Sequence, residues 1–382
     1  MQASHAAETP SRLQRLLAFL EREPGNLALL NDAATAALNE RRPELAAELI
    51  QRYEAIAPAP PALRNIKGLA ALGQGDFQQA AELFQELQES APTEVALRFN
   101  LGWARYMLGD AQGALDVVDS ETAAAVPNAA ALRIHALHQL GLIEEALVCG
   151  RELAKRLPDD RDLMGALANV AVDAEDLELA REYATKAGDQ HEGLSALGMV
   201  LLADGETPGA IAIFEHALEK SPDDARAALG LGFSLMVEQR PSEASKWLDK
   251  GAEEFGDHAG SWLASGWAHF GAGDLDNARD RLTKALACDP QLGEAHAALA
   301  LLDLLENQLA GARRHLEAAA QLDDEDPVVS LAQSVLLAAE GDPAAAQNIR
   351  DFVLRTPISS NGKILADAIA AAVRARTSKS DN

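Results

Sequence analysis

The chain has 382 residues, with 59 acidic against 33 basic side chains and a formal charge of −26. That sign repels phosphate backbones and anionic lipid headgroups, so neither nucleic acid nor a membrane surface is an expected partner. Apolar residues make up 48% of the chain and aromatics only 4%, and the Ala, Leu and Glu that recur in nearly every segment favour helix, so an all-α protein is expected.

The acidity is spread evenly: 29 acids and 17 bases through Asp189 leave −12, and 30 and 16 in the remainder leave −14. It therefore belongs to the whole surface rather than to a tail. Cys149 and Cys288 are far apart in segments that read as helix, which suggests neither a disulfide framework nor a zinc site. The start, MQASHAAETPSRLQR, has no apolar core of signal-peptide length, and no apolar run of membrane-spanning length follows, so a cytoplasmic location is expected.

From the N-terminus, the first element expected is an amphipathic helix over Pro10 to Glu23. Leu13, Leu16, Leu17 and Leu20 share one face, and Thr9 is its N-cap. From Leu27 onward the chain repeats itself. The segment LGWARYMLGDAQGAL, Leu101 to Leu115, recurs as GLAALGQGDFQQAA from Gly68, LGMVLLADGETPGA from Leu197 and SGWAHFGAGDLDNA from Ser265. The last Ala of the pattern sets the register at Ala46, Ala80, Ala114, Ala146, Ala180, Ala210, Ala244, Ala278, Ala312 and Ala346, in steps of 34, 34, 32, 34, 30, 34, 34, 34 and 34 residues.

Twelve residues before this mark stands Gly68, Gly102, Gly198, Gly232 or Gly266, with Ala34, Ala168 and Ala300 elsewhere. A small side chain there lets two helices cross closely. Twelve residues after the mark comes Pro58, Pro92, Pro158, Pro222 or Pro290, which cannot continue a helix. Two units depart from the frame: Ile134 replaces the small residue before Ala146, and Gly256 replaces the proline after Ala244. First helices are expected to begin near Leu63, Val95, Ala129, His258 and Gly293. The pairs Gly75-Asp76, Gly109-Asp110, Gly273-Asp274 and Gly341-Asp342 fall at the turn between helices, where Gly relieves the backbone and Asp caps the next helix. The 30-residue step places a shortened second helix near AGDQHEG, Ala187 to Gly193, and a bend between half-arrays is one reading of it. A last helix is expected over Lys363 to Arg376, followed by a disordered TSKSDN end.

This frame, from Leu27 to Pro357, resembles the tetratricopeptide repeat family, in which each unit of about 34 residues is a pair of antiparallel helices. The resemblance implies an all-α, right-handed α-solenoid of about ten helix pairs. The expected organisation is an N-terminal tail and capping helix at 1–26, half-arrays at 27–190 and 191–358, and a C-terminal cap and tail at 359–382.

The residues carry little that suggests chemistry. His135 and His138 lie three apart on one helix but lack an acidic or thiol partner at ligand spacing. Neither cysteine has a neighbour that would activate a thiol, and no phosphate-cradling glycine loop is present. No enzymatic activity, cofactor or metal is expected.

In the family resembled, the first helix of each pair lines the inner surface, and positions eleven and eight before the mark point the same way. They are Thr35 and Leu38, Leu69 and Leu72, Trp103 and Tyr106, His135 and His138, Asn169 and Val172, Met199 and Leu202, Phe233 and Met236, Trp267 and Phe270, Leu301 and Leu304, then Val335 and Ala338. Phe99 lies one turn before Trp103. A mostly apolar line needs cover. Adjacent first helices, a terminal helix folded into the groove, or a partner segment would each supply it. The candidate protein-binding residues are Phe99, Trp103, Tyr106, Met199, Leu202, Phe233, Met236, Trp267, Phe270, Leu301 and Leu304. The line lacks the Lys, Asn and Arg of the family's carboxylate-clamp grooves and the repeated Asn of its peptide-backbone ladders. It is more similar to bacterial secretion chaperones of the tetratricopeptide class. The function expected is a chaperone-like scaffold or adaptor holding an apolar, basic polypeptide segment, with a self-assembling structural protein, a homo-oligomer whose groove takes a neighbour's terminal helix, as the alternative.

Overall fold

The computed structural model describes residues 10–322, 327–342, 344 and 347. These residues contain α-helices and no strand, and the chain divides into two compact units, Met1–Asp176 and Leu177–Asn382. In the first unit a lone helix α1 (Arg12–Arg22) precedes the pairs α2 (Leu27–Asn39) with α3 (Pro43–Glu54) and α4 (Pro61–Gly73) with α5 (Phe77–Ser90). Helix α6 (Val95–Met107) is followed by α7 (Ala111–Val117) and α8 (Ser120–Ala125), then α9 (Ala129–Gln139) with α10 (Ile143–Arg156), and α11 (Arg161–Asp173). The second unit holds α12 (Leu177–Ala187), the pairs α13 (His191–Ala203) with α14 (Thr207–Lys220), α15 (Ala225–Val237) with α16 (Pro241–Phe255), α17 (Ala259–Gly271) with α18 (Leu275–Cys288) and α19 (Gly293–Leu305) with α20 (Leu309–Leu322), and finally α21 (Pro327–Ala339).

The division falls between α11 and α12, earlier than the half-array boundary expected at residue 190. Helix α12, with 11 residues against the 14 of α14, and a connection one residue shorter than the one after α14 together account for the 30-residue step. The helix expected over Lys363 to Arg376, the chain end and the mark Ala346 lie outside the described residues. The N-terminal helix forms, but its cap is Ser11, which accepts from the Gln14 backbone N–H at 3.2 Å while its own N–H donates to Gln14 Oε1 at 2.9 Å. This reciprocal capping box, rather than Thr9, fixes where α1 begins.

The turns between paired helices share one backbone geometry. Five residues before each mark the chain enters the left-handed region, at Arg41, Gly75, Gly109, Gly141, Glu175, Gly205, Gln239, Gly273, Asn307 and Gly341. Glycine occupies most of these positions because it alone adopts positive φ freely. Asp76, Asp110 and Asp274 then cap α5, α7 and α18, accepting from the N–H groups of Gln79, Gly113 and Asn277. Helix α16, which lacks the terminal proline, stops at Gly256 with φ +66°.

Packing follows the small-residue frame. A Cβ on Gly68, Gly102, Gly198, Gly232 or Gly266 would strike, respectively, Phe84, Val118, Phe214, Leu248 or Leu282, each four residues after its mark and each buried. Large and small residues thus interlock across every such pair. The apparent exception before Ala146 is an inversion: Ile134 is fully buried, and the position four after that mark is Gly150. Leu167 of α11 occupies the space where a Gly150 Cβ would lie.

One unit departs from the pair. Its second helix breaks at Val118 and Asp119, because the Asp119 carboxylate takes the Thr122 N–H at 2.8 Å and starts a new short helix. Arg98 holds the same carboxylate at 2.9 Å, and Arg133 donates to the Val118 carbonyl at 2.6 Å. The 32-residue step arises in the helix that follows: α9 has 11 residues against the 13 of α6 and α11. Beside the break, Ser120, Arg133, Glu144, Glu145, Val148, Cys149, Glu152, Leu153 and Arg156 line an open recess.

Candidate protein-binding face

First helices of neighbouring repeats lie side by side within each unit: α2 touches α4, α6 touches α9, and α9 touches α11. In the other unit α13 touches α15, α15 touches α17, and α19 touches α21. Residues twelve before the mark turn toward the second helices; the eleven-before position is turned about 100° from them, and the eight-before position, one turn on, lies between the two.

In the first unit the face positions are half-buried from Thr35 and Leu38 through Leu69 and Leu72 to Asn169 and Val172. Its centre is aromatic. Phe99, Trp103 and Tyr106 on α6 and His135 on α9 form a row with successive ring centroids 6.5, 6.4 and 6.3 Å apart and planes tilted by 37°, 37° and 33°. All four are half-buried. The i, i+4, i+7 spacing on α6 produces the first three, and the approach of α9 adds the fourth. Next to them His138 Nε2 meets Asp173 Oδ2 of α11 at 2.6 Å. The sequence reading missed Asp173, although its place directly after the face residue Val172 marks it.

The basic side chains of the same helices point elsewhere. Arg64 pairs with Glu86 at 3.3 Å and Lys67 with Glu54 at 2.8 Å. Arg98 binds Asp119 and the Pro92 carbonyl. Arg105 donates to the Gly113 carbonyl at 2.9 Å and to Gln85 at 2.8 Å.

In the second unit the face is apolar. Met199, Leu202, Met236, Trp267 and Leu304 are half-buried, and Phe233 is 41% exposed. Two expected members are not on this surface. Phe270 is 1% exposed and Leu301 is 4% exposed; both sit in one core cluster with Leu299, Leu302 and Leu331, under the cover of α19 and α21. They hold the stack together and are withdrawn from the candidate face. Trp267 stands edge-on to Phe270, centroids 5.6 Å apart, and its indole N–H donates to Glu294 Oε1 at 2.8 Å.

Among the described residues, no group of three or more His, Cys, Asp or Glu is placed to hold a metal, and no helix is long and apolar enough to cross a membrane. Both cysteines are half-buried free thiols.

Helix pairs stacked in a 34-residue frame define a helical-repeat α-solenoid, a class that works through extended faces of this kind. Family models described as "Tetratricopeptide repeat" match residues 67–130 and 201–265. The chain thus carries tetratricopeptide repeats over these two stretches. It is also similar to "Protein CTR9 homolog" of Arabidopsis thaliana, 32% identical over 143 residues, a stretch that takes in 36% of this chain and 13% of that protein. Among solved structures it is similar to pilF of Pseudomonas aeruginosa, at 18% identity and a TM-score of 0.47 over 56% of this chain and 98% of that one. It is likewise similar to YrrB, "a TPR protein with an unusual peptide-binding site", at 18% identity and a TM-score of 0.41 over 48% and 97%. PilW, a "type IV pilus biogenesis factor", matches at 20% identity and a TM-score of 0.43 over 54% and 98%. Neither matching family model describes an enzyme.

Proposed function

We propose that this chain is a protein-interaction scaffold of chaperone-like action, holding an apolar and basic polypeptide segment on the face of its first helices, in the cytoplasm. The observation that carries this reading is the line of large side chains left half-exposed there, with Phe233 as its most exposed member. Leu, Met and aromatic residues at this spacing are anchors of the kind that fill with partner side chains. Met199 and Met236 add surfaces that adapt to more than one shape. The charge of −26 raises the encounter rate with basic segments and rejects acidic ones.

Photo-crosslinking in the native cell tests this. A benzoylphenylalanine at position 233 or 103 should trap polypeptides with an apolar, net-basic stretch, while the same group at Glu215, exposed on the second helix α14, should not. Identical products from both faces, or none from either, would overturn the proposal. Products that are copies of this chain would instead mean self-assembly.

A further inference from the structure

Resting on that reading, we infer that the aromatic row of α6 is a platform for cations, and that the segment lying on it presents an arginine or lysine side chain to the face of Trp103.

Among the described residues the chain supplies its own cations to three aromatic faces. Lys186 Nζ lies 5.3 Å from the Tyr183 ring centroid, Lys250 Nζ 6.0 Å from that of Trp247, and Arg281 and Lys284 lie 5.8 and 4.6 Å from that of Trp262. A cation within about 6 Å of a ring centroid is attracted by the ring quadrupole, most strongly on Trp. Trp103 receives no such cation among the described residues, nor does Phe99. The basic groups nearest in sequence, Arg98 and Arg105, are held on the Pro92 carbonyl, Asp119, the Gly113 carbonyl and Gln85. Both are thus kept off the face of Trp103, which leaves it open to a cation from a partner.

Three further features agree. Trp103 has no indole hydrogen bond among the described residues, whereas the indoles of Trp262 and Trp267 donate to the Gly256 carbonyl and to Glu294. Its N–H is therefore available to a partner carbonyl. On the first helices that follow, His138 meets the Asp173 carboxylate, and the whole chain is acidic. Ring spacings of 6.3 to 6.5 Å also match alternate side chains of an extended chain, which rises roughly 3.3 Å per residue. An extended basic segment can thus place one cation on Trp103 and neighbouring side chains on Phe99 and Tyr106.

The test begins with a phage-displayed library of random 12-residue peptides panned on the full chain. Selected peptides are then synthesised with each Arg replaced in turn by its neutral isostere citrulline, and titrated against the wild type, Trp103→Phe and Trp103→Leu. Thermal melts establish that both variants are folded. The inference expects basic peptides to be enriched, and Trp103→Leu to weaken them about tenfold. Trp103→Phe, which keeps a ring face, should weaken them less. Citrulline at one position should cost the wild type a similar factor and Trp103→Leu nothing further. Uncharged or acidic peptides that still depend on Trp103 would overturn the inference and leave the scaffold reading standing. Selected peptides that ignore substitutions at both Trp103 and Phe233, or a library yielding no binder, would overturn both.

Discussion

Replacing Gly230 with Ala should destabilise the second unit, and replacing Phe214 with Leu at the same time should reverse the sign. The Phe214 ring is fully buried, with Gly198 of α13 on one side and Gly230 of α15 on another. A Cβ at Gly198 would lie 2.5, 2.7 and 2.8 Å from three ring carbons, and one at Gly230 would meet the same ring more closely still. Carbon contacts are most favourable near 3.5–4.0 Å, so the ring would have to move by about 1 Å. Both glycines approach the same two ring carbons, Cε1 and Cζ. Overpacking of this kind costs about 1–3 kcal/mol, against which Ala over Gly in a helix returns about 1 kcal/mol, leaving a net loss of up to roughly 2 kcal/mol. In the following repeats Leu248 and Leu282 occupy the Phe214 position, and Ala264 and Ala298 occupy the Gly230 position. Phe214→Leu with Gly230→Ala therefore rebuilds a combination the chain already uses. In the Phe214→Leu background, Gly230→Ala should be neutral or stabilising by up to about 1 kcal/mol. Urea unfolding followed by circular dichroism gives the totals, and amide exchange in α14 and α15 locates them. Equal stability of Gly230→Ala and wild type, or a loss of the same size in both backgrounds, would refute the reasoning.

Phe270→Ala should cost about 3–5 kcal/mol of folding free energy by opening a core cavity, while Phe233→Ala, already 41% exposed, should cost about 1 kcal/mol and act on partner affinity instead. Melts and titrations on the two variants separate these effects. Gln239 is exposed with φ +58° at a turn where most repeats use glycine, so Gln239→Gly should raise stability by about 0.5–1 kcal/mol, read as a higher Tm. Burial pulls the Asp249 pKa upward, but bonds from His269, Arg281 and Ser265 outweigh it and hold the carboxylate well below its ordinary 3.8. Its folded-state value lies under the unfolded one, so its contribution is complete above about pH 5 and is lost as pH falls through and below 4. Asp249→Asn should therefore cost about 3 kcal/mol at neutral pH and progressively less in acid, which urea titrations at several pH values would show.

The repeat could be read from the sequence because backbone geometry dictates it. A left-handed turn residue recurs five before every mark, and a small residue twelve before the mark meets a large one four after it. The broken helix at Asp119 was not legible. It depends on a side chain choosing a cap over continuing the helix, and Asp119 lacks the preceding glycine that signals the caps Asp76, Asp110 and Asp274. Nor could spacing alone say which face residues stay exposed. Phe233 and Phe270 both lie on the line, yet only Phe270 is roofed by α19 and its neighbours, and that cover comes from another repeat's side chains. The aromatic row was visible as single residues, but its closure by His135 and the turning away of Arg98 and Arg105 needed coordinates.

The inverted pair of Ile134 and Gly150 bears on how this chain can be rearranged. Repeat arrays grow and shrink by duplicating or shuffling units, which presumes that any unit can follow any other. Here Leu167 of α11 fills the volume opened at Gly150, so the unit marked by Ala146 is completed by a side chain from its successor. A duplicated copy would face a successor that begins with its own Ala129 to Gln139 helix, where Arg133 stands in the place of Leu167. That module can be transplanted only together with α11, and a circularly permuted or trimmed array should be cut on either side of the two rather than between them.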